Sequence, residues 1–168
     1  MPMKRLLRAI DLPSTHFDRP IGADSLSETE QQVLAAADIL IDAFARHDRD
    51  AYFAAFAPDA TFLFYHVTES LPSRVAYEAL WHRLEQEQQF AVLGCESSDR
   101  SVQLVGECAI FTHAVRTTVS TRAGRATLDE RESIVFARTG GGWLAVHEHL
   151  SPLPAHAESD QTLEESAA

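Results

Sequence analysis

The sequence predicts an α+β fold, in which three N-terminal helices pack on a strongly curved, mainly antiparallel sheet. The first observation is a helix start signal at Ser27-Glu28-Thr29-Glu30, followed by apolar residues at helical spacing. The second is a change of character at about Val92, after which four β-rich stretches are separated by glycine-containing turns. Because the helices precede the meander of strands, the two are expected to form separate layers around one core.

The helices are predicted in chain order from their start signals. Ser27 can accept from the Glu30 amide while Glu30 reaches back, which forms a capping box. A second, short helix follows Asp48 and is closed by Pro58, and a third begins at Ser73. The apolar residues expected to face the core are Val33, Ala37, Leu40, Ile41 and Phe44, then Tyr52, Phe53 and Phe56, then Tyr77, Leu80, Trp81 and Leu84.

The strands are predicted from β-branched and aromatic residues that lie between turn signals. An aromatic-rich strand over residues 60–66 lies between the second and third helices. The later strands are separated by Gly106, by Arg122-Ala123-Gly124 and by a triple glycine. They are predicted over residues 92–105, 109–121, 126–138 and 143–150.

Length and composition favour one domain in a soluble, cytoplasmic protein. A chain of 168 residues with 45% apolar composition can bury one core, which we expect over residues 27–152. Residues 1–26 lack periodicity and are predicted to form an extended arm, whereas residues 153–168 are acidic and are predicted to be disordered. No segment has the length and character of a signal peptide or a membrane span, so no membrane partner is expected.

Charge and motif content exclude several classes of function. A formal charge of −11 argues against a nucleic-acid partner, because phosphate binding needs clustered Lys and Arg. The sequence has no glycine-rich phosphate loop, nucleophile elbow or cofactor fingerprint, so no cofactor is predicted. Cys95 and Cys108 lack metal-type spacing and are interpreted as buried thiols in a reducing compartment.

The last predicted strand alternates apolar and ionisable residues. Successive side chains of a strand point to opposite faces, so His147 and His149 should share one face with Trp143. Glu148 should share the other face with Leu150. The face that lines the functional site therefore decides between a histidine pair and a buried carboxylate.

The order of elements and several short segments resemble the nuclear-transport-factor-2-like superfamily, whose members have a cone-shaped α+β fold. The resemblance covers roughly residues 27–152 and is most similar to the SnoaL-like branch and the calcium/calmodulin-dependent protein kinase II association domain. The segments that carry it are His47-Asp48-Arg49-Asp50-Ala51-Tyr52, Phe56-Ala57-Pro58-Asp59-Ala60-Thr61, Val105-Gly106-Glu107-Cys108-Ala109, Glu132 to Phe136, Gly142-Trp143 and Val146 to Ser151. Such a resemblance specifies the fold and not the activity.

Comparison with the ketosteroid isomerases of this superfamily argues against their mechanism. The position of their catalytic aspartate matches Phe64 here, and the position of their oxyanion tyrosine matches Leu40. Neither side chain can move a proton or donate to an enolate, so that mechanism does not transfer. The resemblance leaves a pocket position that is apolar in this chain.

The resemblance also orients the strands toward an expected pocket. Phe64 brings Phe62 and His66 to the same face, and Trp81 faces them from the third helix. Arginines line the pocket of the association domain, and one matches Arg116, whereas another matches Ile134; a further pocket position falls at Leu150. Parity then assigns to the concave face Thr112, Ala114 and Arg116, then Glu130, Glu132 and Ile134, then Leu144, Val146, Glu148 and Leu150.

Three interpretations of the expected Arg116, Glu132 and Glu148 cluster remain open. The three could form a buried ion network that only fixes strand register. Alternatively, Glu148 or Glu132 acts as a general acid or base with a raised pKa while Arg116 anchors a carboxylate or enolate oxygen. The third interpretation is ligand binding without chemistry.

The histidines of the last strand have two interpretations. His147 and His149 could chelate a metal together with His113, which the predicted parity puts on the same convex side. No further ligand motif supports this site, so no metal is predicted. The favoured interpretation is self-association, because members of the superfamily commonly dimerise through the convex sheet, where Trp143, His147 and His149 would form part of the interface.

Two functions follow from these expectations. The favoured function is binding of a small molecule in the cone by a protein that is also a dimer. The alternative is a cofactor-independent cyclase, isomerase or dehydratase that uses Glu148 and Glu132 with Arg116 on a small apolar substrate. The sequence does not identify the ligand.

Overall fold

The computed structural model describes residues 26–153 and confirms the predicted α+β fold with its three helices. The predicted arm and acidic tail lie, but for one residue each, outside the described residues. The elements in chain order are α1 (Glu28–Ala45), α2 (Arg49–Ala54), β1 (Phe56–Phe64), α3 (Arg74–Gln88), β2 (Ala91–Val105), β3 (Cys108–Thr121), β4 (Gly124–Thr139) and β5 (Gly142–Pro152).

The helices begin where the sequence signals them. The Glu30 amide donates to Ser27 Oγ and the Ser27 amide donates to Glu30 Oε2, which forms the predicted capping box. Asp48 and Ser73 cap α2 and α3, and their side chains accept from the Ala51 and Ala76 amides. The prediction that Pro58 closes α2 was wrong, because the helix ends earlier and Pro58 lies within β1. This strand is at the sheet edge and its pairing is irregular near Pro58, where a missing amide donor is tolerated.

The sheet has the strand order β1-β5-β4-β3-β2. The pairs β2–β3, β3–β4 and β4–β5 are antiparallel, as predicted for the meander, whereas β1 pairs with β5 in parallel. This topology places β4 and β5, which carry Glu132 and Glu148, next to each other within the sheet. Side chains on the concave face of both strands therefore point into the space beneath the helices.

The core lies between the concave face of the sheet and the helices. In β3 the buried face carries Phe111, His113 and Val115, which alternate with more exposed residues. In β4 it carries Glu132, Ile134 and Phe136. The largest fully buried side chains are Trp81, Tyr52, Phe56, Phe62, Phe111, Phe136, Ile134 and Val33.

A bulge in β5 changes which residues of that strand face the core. Val135 pairs with His147 while Phe136 pairs with Ala145, so Val146 is an extra residue in β5. Ala145 and Glu148 are consequently both buried although they differ in parity. The expectation that Leu144 and Val146 share the concave face with Glu148 was wrong for this reason.

Two further features bear on the sequence-based expectations. No helix within residues 26–153 is long and apolar enough to cross a membrane. Cys95 and Cys108 are both free thiols and are half-buried, so they are less enclosed than expected.

Candidate functional site

A cavity of about 400 Å³ lies between the three helices and the concave face of the sheet. Helix α1 contributes Leu40 and Phe44, while α3 contributes Tyr77 and Trp81. Its remaining walls come from α2, the loop after β1, the loop before β2 and all five strands. Most of the lining is aliphatic or aromatic, and the rings contact one another, as in the tilted pair Tyr52 and Trp81 with centroids 5.5 Å apart. The cavity is thus an apolar chamber with a few polar groups.

The most unusual polar feature of this chamber is a pair of hydrogen-bonded carboxyl groups, those of Glu132 and Glu148. The two residues lie on adjacent strands and are 9% and 3% exposed. Burial raises the pKa of Glu132 to about 7, and burial with the neighbouring Glu132 charge raises the pKa of Glu148 well above its ordinary value. Because two carboxylates cannot donate to each other, the pair shares a proton near neutral pH.

Each carboxyl group of the pair has a partner of its own. The Tyr52 hydroxyl donates to Glu148 Oε2 at 3.0 Å, and His113 Nε2 is hydrogen-bonded to Glu132 Oε2. Burial and the nearby Arg100 charge lower the pKa of His113 to about 4, so its imidazole is neutral at pH 7. A neutral ring that donates from Nε2 to Glu132 accepts at Nδ1, where the Ser97 hydroxyl lies 2.7 Å away.

These contacts form a continuous polar chain through the interior. It runs from Ser97 on β2 through His113, Glu132 and Glu148 to Tyr52 on α2. His113 is buried and contacts the Glu132 carboxyl from the sheet, whereas Tyr52 contacts the Glu148 carboxyl from the helical layer. Such a chain fixes the orientation of both carboxyl groups and leaves them facing an apolar space.

A third carboxyl group lies near the opening of the cavity. Glu130 is 3% exposed and accepts from the Tyr65 hydroxyl at 2.8 Å, and burial raises its pKa. Tyr65, His66 and Leu128 are exposed and also line the cavity, so the chamber opens to solvent at this end. The His66 ring stacks on Phe64 with an interplanar angle of 1° and a centroid distance of 5.6 Å.

Several expected pocket residues are placed as predicted. Phe64, His66, Trp81 and Leu150 line the cavity together with the two glutamates. Leu40, which the resemblance matched to the oxyanion tyrosine of the isomerases as it matched Phe64 to their base, is also a lining residue. Whether any of these residues contacts a ligand remains a prediction.

The expected position of Arg116 was wrong. Its side chain is 60% exposed and its Nε lies 3.2 Å from Asp129 Oδ1 on the outside of the sheet. The inward face of β3 consists of the odd-numbered residues, including His113, Val115 and Thr117, so Thr112 and Ala114 also point away from the cavity. The expected cluster of Arg116 with Glu132 and Glu148 therefore does not form.

Two other expected ligand contacts do not line the cavity. Phe62 and Ile134 are fully buried in the hydrophobic core. Each lies on the predicted face of its strand, but neither is among the lining residues. The cavity wall is instead formed further along the same strands by Phe64 and Glu132.

Both interpretations of the last-strand histidines, a metal site and a self-association surface, assigned some residues to the wrong face of the sheet. His113 is inside the fold, so it cannot join His147 and His149 at a common metal site on the convex side. Trp143 precedes the bulge and packs against the hydrophobic core, with the Arg138 guanidinium 6.0 Å from its ring centroid. It therefore does not share a face with His147 and His149.

The sequence-based reasoning missed Thr117 and Tyr52 as polar residues of the chamber, and His113 as the buried partner of Glu132. The apolar alternation of Ala109, Phe111 and Val115 was the signal that could have located His113 on the inner face. No comparable signal existed for Tyr52, because a tyrosine at helical spacing is equally well explained as a core residue.

Comparisons with known proteins identify the fold and the family. The solved structures similar to this chain include the CaMKII hub of S. rosetta, with 22% identity, coverage of 80% of this chain and 99% of that one, and a TM-score of 0.61. A ketosteroid isomerase-like protein from Erwinia carotovora atroseptica has 17% identity, coverage of 77% and 99%, and a TM-score of 0.64. An NTF2-like protein of unknown function from Pseudomonas putida has 18% identity, coverage of 86% and 100%, and a TM-score of 0.61.

At these identities the solved structures show a shared fold alone. Comparison with curated protein sequences gives no significant match. The family model of the SnoaL-like domain matches residues 33–156, which is most of the chain. The protein therefore belongs to the SnoaL-like domain family, and it shares its fold with NTF2-like proteins of known structure.

Proposed function

We propose that this protein binds a small, mainly apolar molecule in the chamber beneath the sheet. The observation that carries the proposal is the chamber itself, about 400 Å³ of space with aromatic and aliphatic walls and its carboxyl groups on one side. Binding sites for small molecules typically have volumes of roughly 300–1,000 Å³ and few polar groups, so this chamber suits a ligand at the small end of that range.

A cavity-filling variant tests this proposal. The neutral dye N-phenyl-1-naphthylamine becomes fluorescent in apolar surroundings, so we expect enhanced fluorescence with the native protein. Val119→Trp introduces a large side chain into the wall of the chamber and should abolish the enhancement. Leu104→Trp is the control, because Leu104 is 41% exposed on β2 and does not line the chamber. Equal dye affinity in Val119→Trp and native protein would contradict the proposal.

The coupled carboxyl pair favours acid–base catalysis as a second candidate function. A group with a pKa near 7 can gain and lose a proton at neutral pH, and that of Glu132 lies at about 7. In this candidate Glu148, which Tyr52 orients, donates a proton to a bound substrate, while Glu132, which His113 orients, accepts one. Isomerisation, cyclisation and dehydration of a small carbonyl compound all need this pair of steps. Arg116 has no part in it.

Hydrogen exchange in heavy water tests the catalytic candidate without a known substrate. The small ketone 2-indanone exchanges its α-protons when a base removes them, and NMR follows the loss of signal. We expect exchange faster than in buffer with native protein, and a return to the buffer rate with Glu148→Gln and with Glu132→Gln. Exchange that is unaffected by both substitutions would exclude this role of the pair.

We also propose that the protein self-associates through the convex face of the sheet. His149 is exposed and pairs in register with Leu63, which is 43% exposed, while His147 is half-buried. Light scattering after size-exclusion chromatography should give a dimer at about pH 8 that weakens as the pH falls to about 5, because protonation of His147 adds charge to the interface. Burial and the neighbouring His149 lower the pKa of His147, so the weakening should occur on the acid side of its ordinary range. The double variant His147→Ala/His149→Ala should lose this pH dependence. An unchanged dimer for both proteins at both pH values would refute the role of the histidines.

A further inference from the structure

One wall of the chamber concentrates carboxyl groups without cationic side chains. Glu130, Glu132 and Glu148 are at most 9% exposed and all line the same cavity. In the described part of the chain, no lysine or arginine contributes to that lining. Buried carboxyl groups are costly unless they are neutralised or paired, and here their observed partners are two tyrosines, one neutral histidine and each other. The wall therefore has unmet capacity to stabilise positive charge.

The remaining walls of the chamber are suited to the same charge. The π faces of aromatic rings carry partial negative charge and attract cations that lie within about 6 Å of the ring centre. The indole of tryptophan attracts cations more strongly than the rings of tyrosine and phenylalanine do. Trp81 lies against Tyr52, whose hydroxyl donates to Glu148. The aromatic lining residues are Phe44, Tyr52, Phe64, Tyr65, Tyr77, Trp81 and Phe90.

We propose that the chamber selects a small lipophilic ammonium compound over neutral and anionic molecules of the same size. The apolar part of such a ligand packs against the aliphatic and aromatic walls, and its ammonium group lies between the carboxyl wall and the rings. The inference rests on the proposed function, since it names the ligand class of the same chamber. It also reverses the charge expected from the arginine-lined pocket to which Arg116 was matched.

Entry of a cation also changes the protonation of the carboxyl pair. A positive charge beside Glu132 and Glu148 favours their ionised forms, so their shared proton leaves to the buffer as the ammonium group enters. Affinity for the cation should therefore increase with pH until the pair is ionised. The titratable groups that face the pair from the surrounding elements are Tyr52 on α2, Tyr77 on α3, Cys95 on β2, His113 on β3, and Glu130 on β4.

Three compounds of nearly equal size test the selection. Benzylamine is a cation at both about pH 6 and about pH 8, benzyl alcohol is neutral and benzoate is an anion. Isothermal titration calorimetry with native protein at about pH 8 measures the three affinities. We expect the affinity for benzylamine to be at least about tenfold higher than that for benzyl alcohol, and the affinity for benzoate to be the lowest. Benzylamine affinity should rise between about pH 6 and about pH 8, and its heat should depend on the buffer's ionisation enthalpy, because a proton is released.

Matched variants separate charge from shape. Glu130→Gln keeps the side-chain volume and an acceptor for the Tyr65 hydroxyl. It should therefore lower the affinity for benzylamine several-fold and leave the affinity for benzyl alcohol unchanged. Glu107→Gln removes an exposed carboxylate in the turn after β2 and should change the affinity for neither compound. Circular dichroism establishes that both variants are folded, and Glu132→Gln serves as a second test if Glu130→Gln is not.

The outcomes distinguish failure of this inference from failure of the proposed function. If benzyl alcohol or benzoate binds as tightly as benzylamine, and Val119→Trp prevents that binding, the chamber binds ligands but does not select cations. If none of the three compounds binds to the native protein and the neutral dye does not bind either, both proposals are wrong. Benzylamine binding that persists in Val119→Trp would place the cation outside the chamber and would also overturn the inference.

Discussion

Replacing Glu132 by glutamine should stabilise the protein at alkaline pH, although it removes a charged hydrogen-bonding partner of His113. In the native protein the Glu132 carboxyl has a pKa of about 7, compared with an ordinary value of 4.5. The folded state therefore binds a proton more tightly than the unfolded state, and stability falls as pH rises from about 4.5 through about 7. Glutamine has nearly the same shape and does not ionise, so the variant should not lose this stability as the pH rises.

The expected size of the effect follows from the linkage relation. One pKa unit corresponds to about 1.4 kcal/mol, and the shift from 4.5 to about 7 therefore corresponds to about 3 kcal/mol once Glu132 is fully ionised. Part of this loss has already occurred at pH 5, so between pH 5 and pH 8 the native protein should lose about 2 to 3 kcal/mol relative to Glu132→Gln. The nearly buried position of Glu132, 9% exposed, means that solvent screening reduces this figure little.

The assay is urea denaturation of both proteins at about pH 5, 6, 7 and 8, followed by circular dichroism. His113 contributes in the opposite direction, because its pKa is lowered to about 4 and stability rises with pH from about 4 to about 6.5. Comparing the two proteins at each pH largely cancels this contribution. Glu107→Gln, at an exposed position, should parallel the native protein. Parallel curves for Glu132→Gln and native protein would refute the assignment of the raised pKa to Glu132.

Three further predictions concern single contacts, and urea denaturation at pH 7 measures each of them. Arg116→Ala should change stability by less than about 1 kcal/mol, because its pair with Asp129 is exposed; a large loss would mean that Arg116 lies inside. Tyr52→Phe should cost about 1 to 3 kcal/mol, since Glu148 Oε2 loses a buried donor, and an unchanged midpoint would argue against that contact. Ser27→Ala should cost about 1 kcal/mol through loss of the capping box, whereas Ser27→Asp should retain most of the stability.

Much of the fold could be predicted because its signals are local in sequence. The caps at Ser27, Asp48 and Ser73 and the glycine-containing turns between the later strands depend on residues within a few positions of one another. The helical spacing of Val33, Ala37 and Leu40 likewise gave the buried face of α1. These signals are sufficient to predict the type and order of the elements. That order in turn was sufficient to reveal the resemblance to the family.

The faces of the strands were harder to predict because they depend on register. A shift of one residue moves every side chain of a strand to the opposite face. Aligning Arg116 with a pocket arginine introduced such a shift in β3 and took precedence over the apolar alternation of Phe111 and Val115. In β4 the pattern of Glu132 and Ile134 was assigned correctly, and the difference between the two strands is the origin of the missing cluster.

The bulge at Val146 connects these errors to the chemistry of the site. A regular β5 that kept Ala145 in the core would place His147 and His149 inward and Glu148 outward, because alternate residues share a face. The extra residue allows the small Ala145 to pack in the core while Glu148, three positions later, reaches Glu132 and Tyr52. The carboxyl pair and the exposure of His149 thus have one structural cause. A change that removes the bulge would therefore be expected to alter the chamber and the convex face together.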